Sequence, residues 1–221
     1  MTDYNQWRSG KVDLKAKKER PNGIGGTDAQ KLVEGNWIDL YDLKIGKTQP
    51  DDLSNVLPVQ MGTATENLNR AWFEKEMKLL VTPERLAWYN TYIYGLIDGY
   101  VLANTEIDKA TIPIAVFEAK HSGQFMDTPK QHANLIDRYY PQVQHYMLCS
   151  KLPTAYLSIF FGNRTHKIFT IKQDRDFQSK LLKVYKIFWK AVMSKTPETI
   201  DTNWKEFYDE PKSDEKNIAV S

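Results

Sequence analysis

Along this chain the spacing of apolar residues switches between the helical and the extended period, and the switches mark out the elements. In DFQSKLLKVYKIFWKAVM, Phe177, Leu181, Val184, Phe188 and Val192 recur at helical spacing and form a core-facing stripe. MGTATENLNRAWFEKEMKLL predicts another helix, with Thr63 and Glu66 in capping-box spacing and Leu68, Trp72, Leu79 and Leu80 as its apolar stripe. A helix around NLIDRYYPQVQHYMLCS is expected to restart or kink at Pro141, whose nitrogen has no proton to donate. Two short helices precede these. GIGGTDAQKLVEG reads as a glycine turn and a helix capped by Thr27, with Gln30 three residues on and Gly35 as the stop; NWIDLYDLKIG follows, then the polar loop KTQPDDLSN.

The middle of the chain has the other period. YIYGLIDGYVLA and TIPIAVFEAK are rich in β-branched and aromatic residues and are separated by the polar NTEIDKA, which predicts neighbouring antiparallel strands. TAYLSIFFG and HKIFTI, joined by a GNRT turn, predict a second pair. Helices, a strand pair, a helix, a strand pair and a last helix imply an α/β (α+β) fold: a central mixed β-sheet flanked by helices.

Composition narrows the class. With 221 residues, 41% of them hydrophobic, the chain can bury one core, and we expect a single domain over 20–195. No apolar run reaches the length of a membrane helix, and MTDYNQWRSG lacks the apolar stretch of a secretion signal, so a cytoplasmic protein is expected, without a membrane partner. A single cysteine, Cys149, leaves no disulfide framework or cysteine-rich metal site within one chain, so any metal must be held by oxygen and nitrogen. The net charge of +2, from 30 Lys and Arg against 28 Asp and Glu, makes no case for nucleic-acid binding by itself. Within residues 1–19, Lys11, Lys15, Lys17 and Lys18 run basic toward Arg20; this reads either as an arm on a phosphate backbone or as a flexible, solvated leader. The tail over 196–221 is polar and aperiodic, the composition of a partly disordered segment.

The chemistry concentrates in PIAVFEAKHS. Side chains two apart on a strand share a face, so Glu118 and Lys120 point together while Phe117 and Ala119 point into the core. Alone, such a pair is an ordinary surface ion pair worth about 0 to 1 kcal/mol. The preceding strand alters the odds, because Asp98 sits among apolar residues just before Gly99, and a carboxylate there is costly to bury unless it is paired or holds a cation. Neighbouring strands would let Asp98 and Glu118 converge into an oxygen-only site suited to a hard ion such as Mg²⁺. Lys120 would then orient an attacking water and stabilise charge on a scissile phosphate. A turn aspartate or an arginine partner is the plainer reading of Asp98.

Asp98, FEAK and the helical PQVQHYM together resemble the core of the PD-(D/E)XK nuclease superfamily, and within it the chain is most similar to the YqaJ-like viral recombinases, the group that includes phage lambda exonuclease. RPNGIGGTDA resembles the family's arginine followed by I-G-G-S-D-A, with Thr in place of Ser; MGTATE resembles its M-x-G-x-x-x-E helix start, and YYPQVQHYM its Y-Y-x-Q-V-Q segment. The superfamily's Pro-Asp step is Ile97-Asp98 here. The resemblance covers about Arg20 to Phe161 and implies a restriction-endonuclease-like core.

The resemblance implies Asp98, Glu118 and the backbone carbonyl of Ala119 as metal ligands and Lys120 as the water-orienting residue. Glu66 corresponds to an acidic residue that reaches the metal directly or through water, although its spacing from Thr63 also suits a capping box. Gln142 and Tyr146, i and i+4 on one helical face, fit a Q-x-x-x-Y element facing the site or DNA; Gln144 is the second family glutamine or a solvent-facing residue. Arg20 and Thr27 resemble a 5′-phosphate pocket, consistent with charge-assisted guanidinium bonds and with anion binding at a helix start. The implied activity is Mg²⁺-dependent hydrolysis of DNA phosphodiesters, with Mn²⁺ able to substitute, by a phage recombination exonuclease working 5′ to 3′ on duplexes with 5′-phosphorylated ends. A homotrimer and a single-strand annealing protein as partner are implied as well. The alternatives are an endonuclease on the same core and a non-catalytic module that grips DNA ends.

Overall fold

The computed structural model describes residues 22–103, 112–123, 128–197 and 218–220. The leader over 1–19, Arg20 and most of the tail from 196 onward lie outside the described residues. Five helices are described: α1 (Gly26–Val33), α2 (Trp37–Lys44), α3 (Leu57–Met77), α4 (Pro129–Ser150) and α5 (Arg175–Ser194). The strands are β1 (Leu80–Val81), β2 (Arg85–Trp88), β3 (Tyr94–Ile97), β4 (Gly99–Leu102), β5 (Pro113–Ser122), β6 (Thr154–Phe161), β7 (Thr165–Lys172) and β8 (Ile218–Val220).

Six strands form one mixed sheet in the order β1-β4-β5-β6-β7-β8, and β2 pairs with β3 in a separate hairpin. As expected from the sequence, β4 runs antiparallel to β5 and β6 antiparallel to β7. The one parallel pair, β5 with β6, is joined through α4, since parallel neighbours need a long crossover. The stretch YIYGLIDGYVLA is two strands rather than one: Asp98 separates β3 from β4, which belong to different sheets. The strands β1, β2 and β8 have no clear period in the sequence and were not expected.

Alternation along β5 divides the core. Val116 joins the large cluster with α1, α4 and α5, whereas Ala115 and Phe117 join a smaller one with Phe73 of α3. Phe177, Leu181, Val184, Phe188 and Val192 are all buried, as their spacing predicts. α4 runs unbroken through Pro141, with Thr128 as its N-cap.

Three local expectations are corrected. α1 is capped by Gly25, whose N–H donates to Asp28 at 2.9 Å, and not by Thr27, which lies inside the first turn and is exposed. α3 begins at Leu57 with a proline in its first turn, six residues before Thr63, so Glu66 is a mid-helix residue and no capping box forms there. The phase of α3 is also different: Leu68, Trp72 and Leu80 are exposed and Leu79 is half-buried, while Asn69 and Phe73 face the sheet. The physical reason is that the sheet presents both an apolar floor, which takes Phe73, and the backbone carbonyls of Lys120 and Ser158, which accept from Asn69.

Candidate active site

Period-two alternation puts Glu118 and Lys120 on the α4 face of β5, and the two side chains meet, Lys120 Nζ to Glu118 Oε1 at 2.5 Å. Glu118 is 1% exposed. Its Oε1 also accepts from Gln142 Nε2 at 3.0 Å, whereas its Oε2 is buried with no hydrogen-bond partner. Lys120 packs its ammonium over the Tyr139 ring, 5.2 Å from the centroid. This is a partly buried pair set at the C-terminal end of the sheet's longest strand, unlike the exposed ion pairs that E-x-K usually makes.

Asp98 reaches the same strand end. Its Oδ2 accepts from the Ala119 N–H at 2.8 Å, which extends the β4–β5 ladder one step beyond the Gly99–Phe117 pair by means of a side chain. Gly99 is required beside it, because a Cβ there would lie 2.6 Å from Val81 Cγ1 and closer still to the Thr82 carbonyl. The N–H and C=O of one strand residue point to the same edge, so the Ala119 carbonyl opens toward the Asp98 side. Glu66 lies 3.6 Å from Arg70, and Arg70 Nη2 donates to the Asp98 carbonyl at 2.7 Å.

Burial pushes the Glu118 carboxyl up to about 8, reinforced by the negative charges of Asp98 and Glu66 and opposed by Lys120. Burial pulls the Lys120 ammonium down, but Glu118 and Asp98 outweigh it and hold it protonated. Two further carboxylates therefore act on Glu118 here, although no three His, Cys, Asp or Glu side chains among the described residues close on a single point.

Gln142 and Tyr146 are buried behind this cluster rather than presented to an external ligand. Gln142 Nε2 bridges Glu118 Oε1 and the Tyr146 hydroxyl, the latter at 2.9 Å. The Tyr146 ring packs against both Gly26 and Gly95: a Cβ on Gly26 would fall 2.6 Å from Cζ and 2.8 Å from the hydroxyl, and one on Gly95 2.9 Å from Cδ1. The start of α1, with exposed Thr27, is thereby linked to Glu118 through the Tyr146 ring and the Gln142 amide. Gln144 has a different role. It is fully buried, donates to the Lys172 carbonyl at 2.8 Å and accepts from the Asp174 N–H at 3.0 Å, stapling α4 to the β7–α5 connection. No surface of it is left for DNA or for solvent. Sequence reasoning passed over Asn69 and Arg70; their spacing from Glu66 on one helix face was the available signal.

The family model described as YqaJ-like viral recombinase domain matches residues 15–153. This chain belongs to that family. Its fold is that of the alkaline exonucleases: LHK-Exo from Laribacter hongkongensis is 16% identical, with a TM-score of 0.57 over 81% of this chain and 92% of that one. The dAMP complex of LHK-Exo gives 14% and 0.58 over 80% and 91%. A phage-related exonuclease from Haemophilus somnus gives 14% and 0.58 over 86% and 89%. No curated protein matches by sequence. Among the described residues no helix is long and apolar enough to cross a membrane.

Proposed function

We propose that this YqaJ-family chain is a divalent-metal-dependent DNA exonuclease of the phage recombination type, with Asp98, Glu118 and Lys120 as its centre. The observation that carries the reading is the Glu118 carboxylate, buried against Lys120 with Oε2 left without a partner, on the strand that Asp98 also grips. An orphaned buried carboxylate oxygen is expensive unless a ligand completes it, and the donor set is all oxygen, which fits a hard ion such as Mg²⁺, with Mn²⁺ as a substitute. Asp98, Glu118 and the Ala119 carbonyl would hold it, with Glu66 at the periphery. When bound, such an ion polarises a phosphoryl oxygen and favours formation of a hydroxide nucleophile.

The chain's own groups supply the rest. Lys120 stays protonated and donates to the attacking water or to a non-bridging phosphate oxygen, so its charge is in place before the phosphodiester develops more. Gln142 holds Glu118 from behind and fixes the direction of its free oxygen. Arg20 and Thr27 would take a terminal 5′-phosphate, which favours digestion from 5′ to 3′ on duplex DNA. Tyr146 against Gly26 supports this, because it ties the start of α1 to Glu118 through Gln142. A homotrimer and a single-strand annealing partner belong to the same proposal.

The test is degradation of linear, 5′-phosphorylated duplex DNA in Mg²⁺ and in chelator by the wild type, Glu118→Ala and Lys120→Ala, beside closed circular plasmid and 5′-dephosphorylated ends. The reading expects metal-dependent loss of the linear DNA alone, slower from dephosphorylated ends and absent in both variants. Cutting of the circle would make the chain an endonuclease. Binding of DNA ends without any cleavage would leave only an end-binding module.

A further inference from the structure

One face of α3 makes contacts that the chemistry above does not use. Asn69, 1% exposed, donates its side-chain amide to two backbone carbonyls, Lys120 O on β5 at 3.1 Å and Ser158 O on β6 at 3.0 Å. With both amide protons aimed at carbonyls, the orientation of the amide is settled, and Ser158 Oγ donates to Asn69 Oδ1 at 2.6 Å. The same hydroxyl lies 2.7 Å from His166 Nε2, and His166 Nδ1 faces Glu76 Oε2 at 2.7 Å, so this chain of bonds starts and ends on α3. The adjacent residue, Arg70, donates to the Asp98 carbonyl at 2.7 Å, lies 3.6 Å from Glu66 and keeps its Nε buried without a partner.

Two of these three carbonyls, those of Lys120 and Asp98, belong to the two segments whose side chains must converge. The β4–β5 ladder runs no further than Gly99 opposite Phe117, so beyond that point it gives Asp98 and Lys120 no backbone bond to each other. Side chains on consecutive residues of one helix reach both instead. A buried asparagine is unfavourable on an otherwise apolar face unless all its polar atoms are satisfied, and those of Asn69 are satisfied only at Lys120 and Ser158. Packing alone would be served by leucine.

We propose that Asn69 and Arg70 are positioning residues that hold Asp98 and the Glu118–Lys120 segment of β5 at their working separation by tying the Asp98 and Lys120 carbonyls to one rigid helix. This rests on the nuclease reading above. Neither residue touches substrate; each acts through the backbone of a residue that does.

The experiment uses the full chain with Asn69→Asp, which turns two donors into a carboxylate facing two carbonyls, the milder Asn69→Ser, and Arg70→Lys, which keeps the charge but loses the planar fork. Val184→Ala, on the buried face of α5, serves as a destabilised control, and Glu118→Ala tests the parent reading. Single-turnover cleavage at saturating DNA, DNA affinity in chelator, Mn²⁺ binding by calorimetry without DNA, and melting temperature are measured for each. Loss of about 10- to 100-fold in rate, weaker Mn²⁺ binding, and DNA affinity within about twofold are expected for Asn69→Ser and Arg70→Lys, with Val184→Ala cleaving normally. Wild-type rates and Mn²⁺ binding in folded Asn69→Ser and Arg70→Lys would overturn the proposal. So would rate losses that merely follow melting temperature, with Val184→Ala losing as much. Cleavage by Glu118→Ala would instead show that the nuclease reading itself had failed, and the proposal with it.

Discussion

Adding one methyl group at Gly26 should disable the protein through a side chain it does not share a sequence motif with. A Cβ there would stand 2.6 Å from Tyr146 Cζ and 2.8 Å from its hydroxyl, against an ordinary contact of about 3.4 Å or more, so the ring must retreat by most of an ångström. The Gly95 backbone packs against the same ring, with a Cβ built there only 2.9 Å from Cδ1, so the ring has little free room around it. Overpacking of this kind costs about 1 to 3 kcal/mol. The larger effect is on function, because Tyr146 holds Gln142, and Gln142 holds the only partnered oxygen of Glu118. A displacement of this size carried to Glu118 corresponds to about 100-fold in rate. Melting curves and single-turnover cleavage of Gly26→Ala are the assays, with Tyr146→Leu as a second variant that removes the ring. In the double variant the methyl group has nothing to strike, so its stability cost should be clearly less than the sum of the two single costs. A Gly26→Ala protein with unchanged melting and cleavage, or strictly additive costs in the double variant, would refute the argument.

Two further outcomes follow from the same contacts. His145 is fully buried, with Nδ1 2.9 Å from the Tyr185 hydroxyl and Nε2 2.8 Å from the Tyr94 carbonyl, and burial pulls its pKa down to about 4. Above about pH 6.5 neither the folded nor the unfolded state protonates it; between 6.5 and 4 only the unfolded state does, so stability falls with acid by about 2 to 3 kcal/mol near pH 4.5. Urea denaturation near pH 7 and near pH 4.5 should show this loss in the wild type and a smaller one in His145→Gln; equal losses would dismiss it. Gln144→Leu strands the Lys172 carbonyl and the Asp174 N–H, which should cost about 2 to 4 kcal/mol in denaturation while leaving the DNA affinity of the folded protein unaltered. Weakened DNA binding at full stability would return Gln144 to the DNA interface.

What depends on period and chemistry is legible in the amino acids alone. Alternation on β5 was enough to place Glu118 and Lys120 on one face and Phe117 on the other, because the pleat allows no other arrangement. The stripe from Phe177 to Val192 specified α5 for the same kind of reason, and the turn between β6 and β7 followed from GNRT. Which polar residues belong inside depends on the packing of the folded chain. Leu68 and Trp72 looked like the buried face of α3, yet Asn69 and Phe73 are buried, because burial is set by what the opposing surface offers, and here it offers the carbonyls of Lys120 and Ser158. Gln142 and Gln144 are indistinguishable as letters two apart on α4. One meets Glu118 and the other Lys172, because a helix turns about 200° between them and two different elements pack on those sides. Local periodicity can say that a residue faces a neighbour, and only the packed fold supplies which neighbour that is.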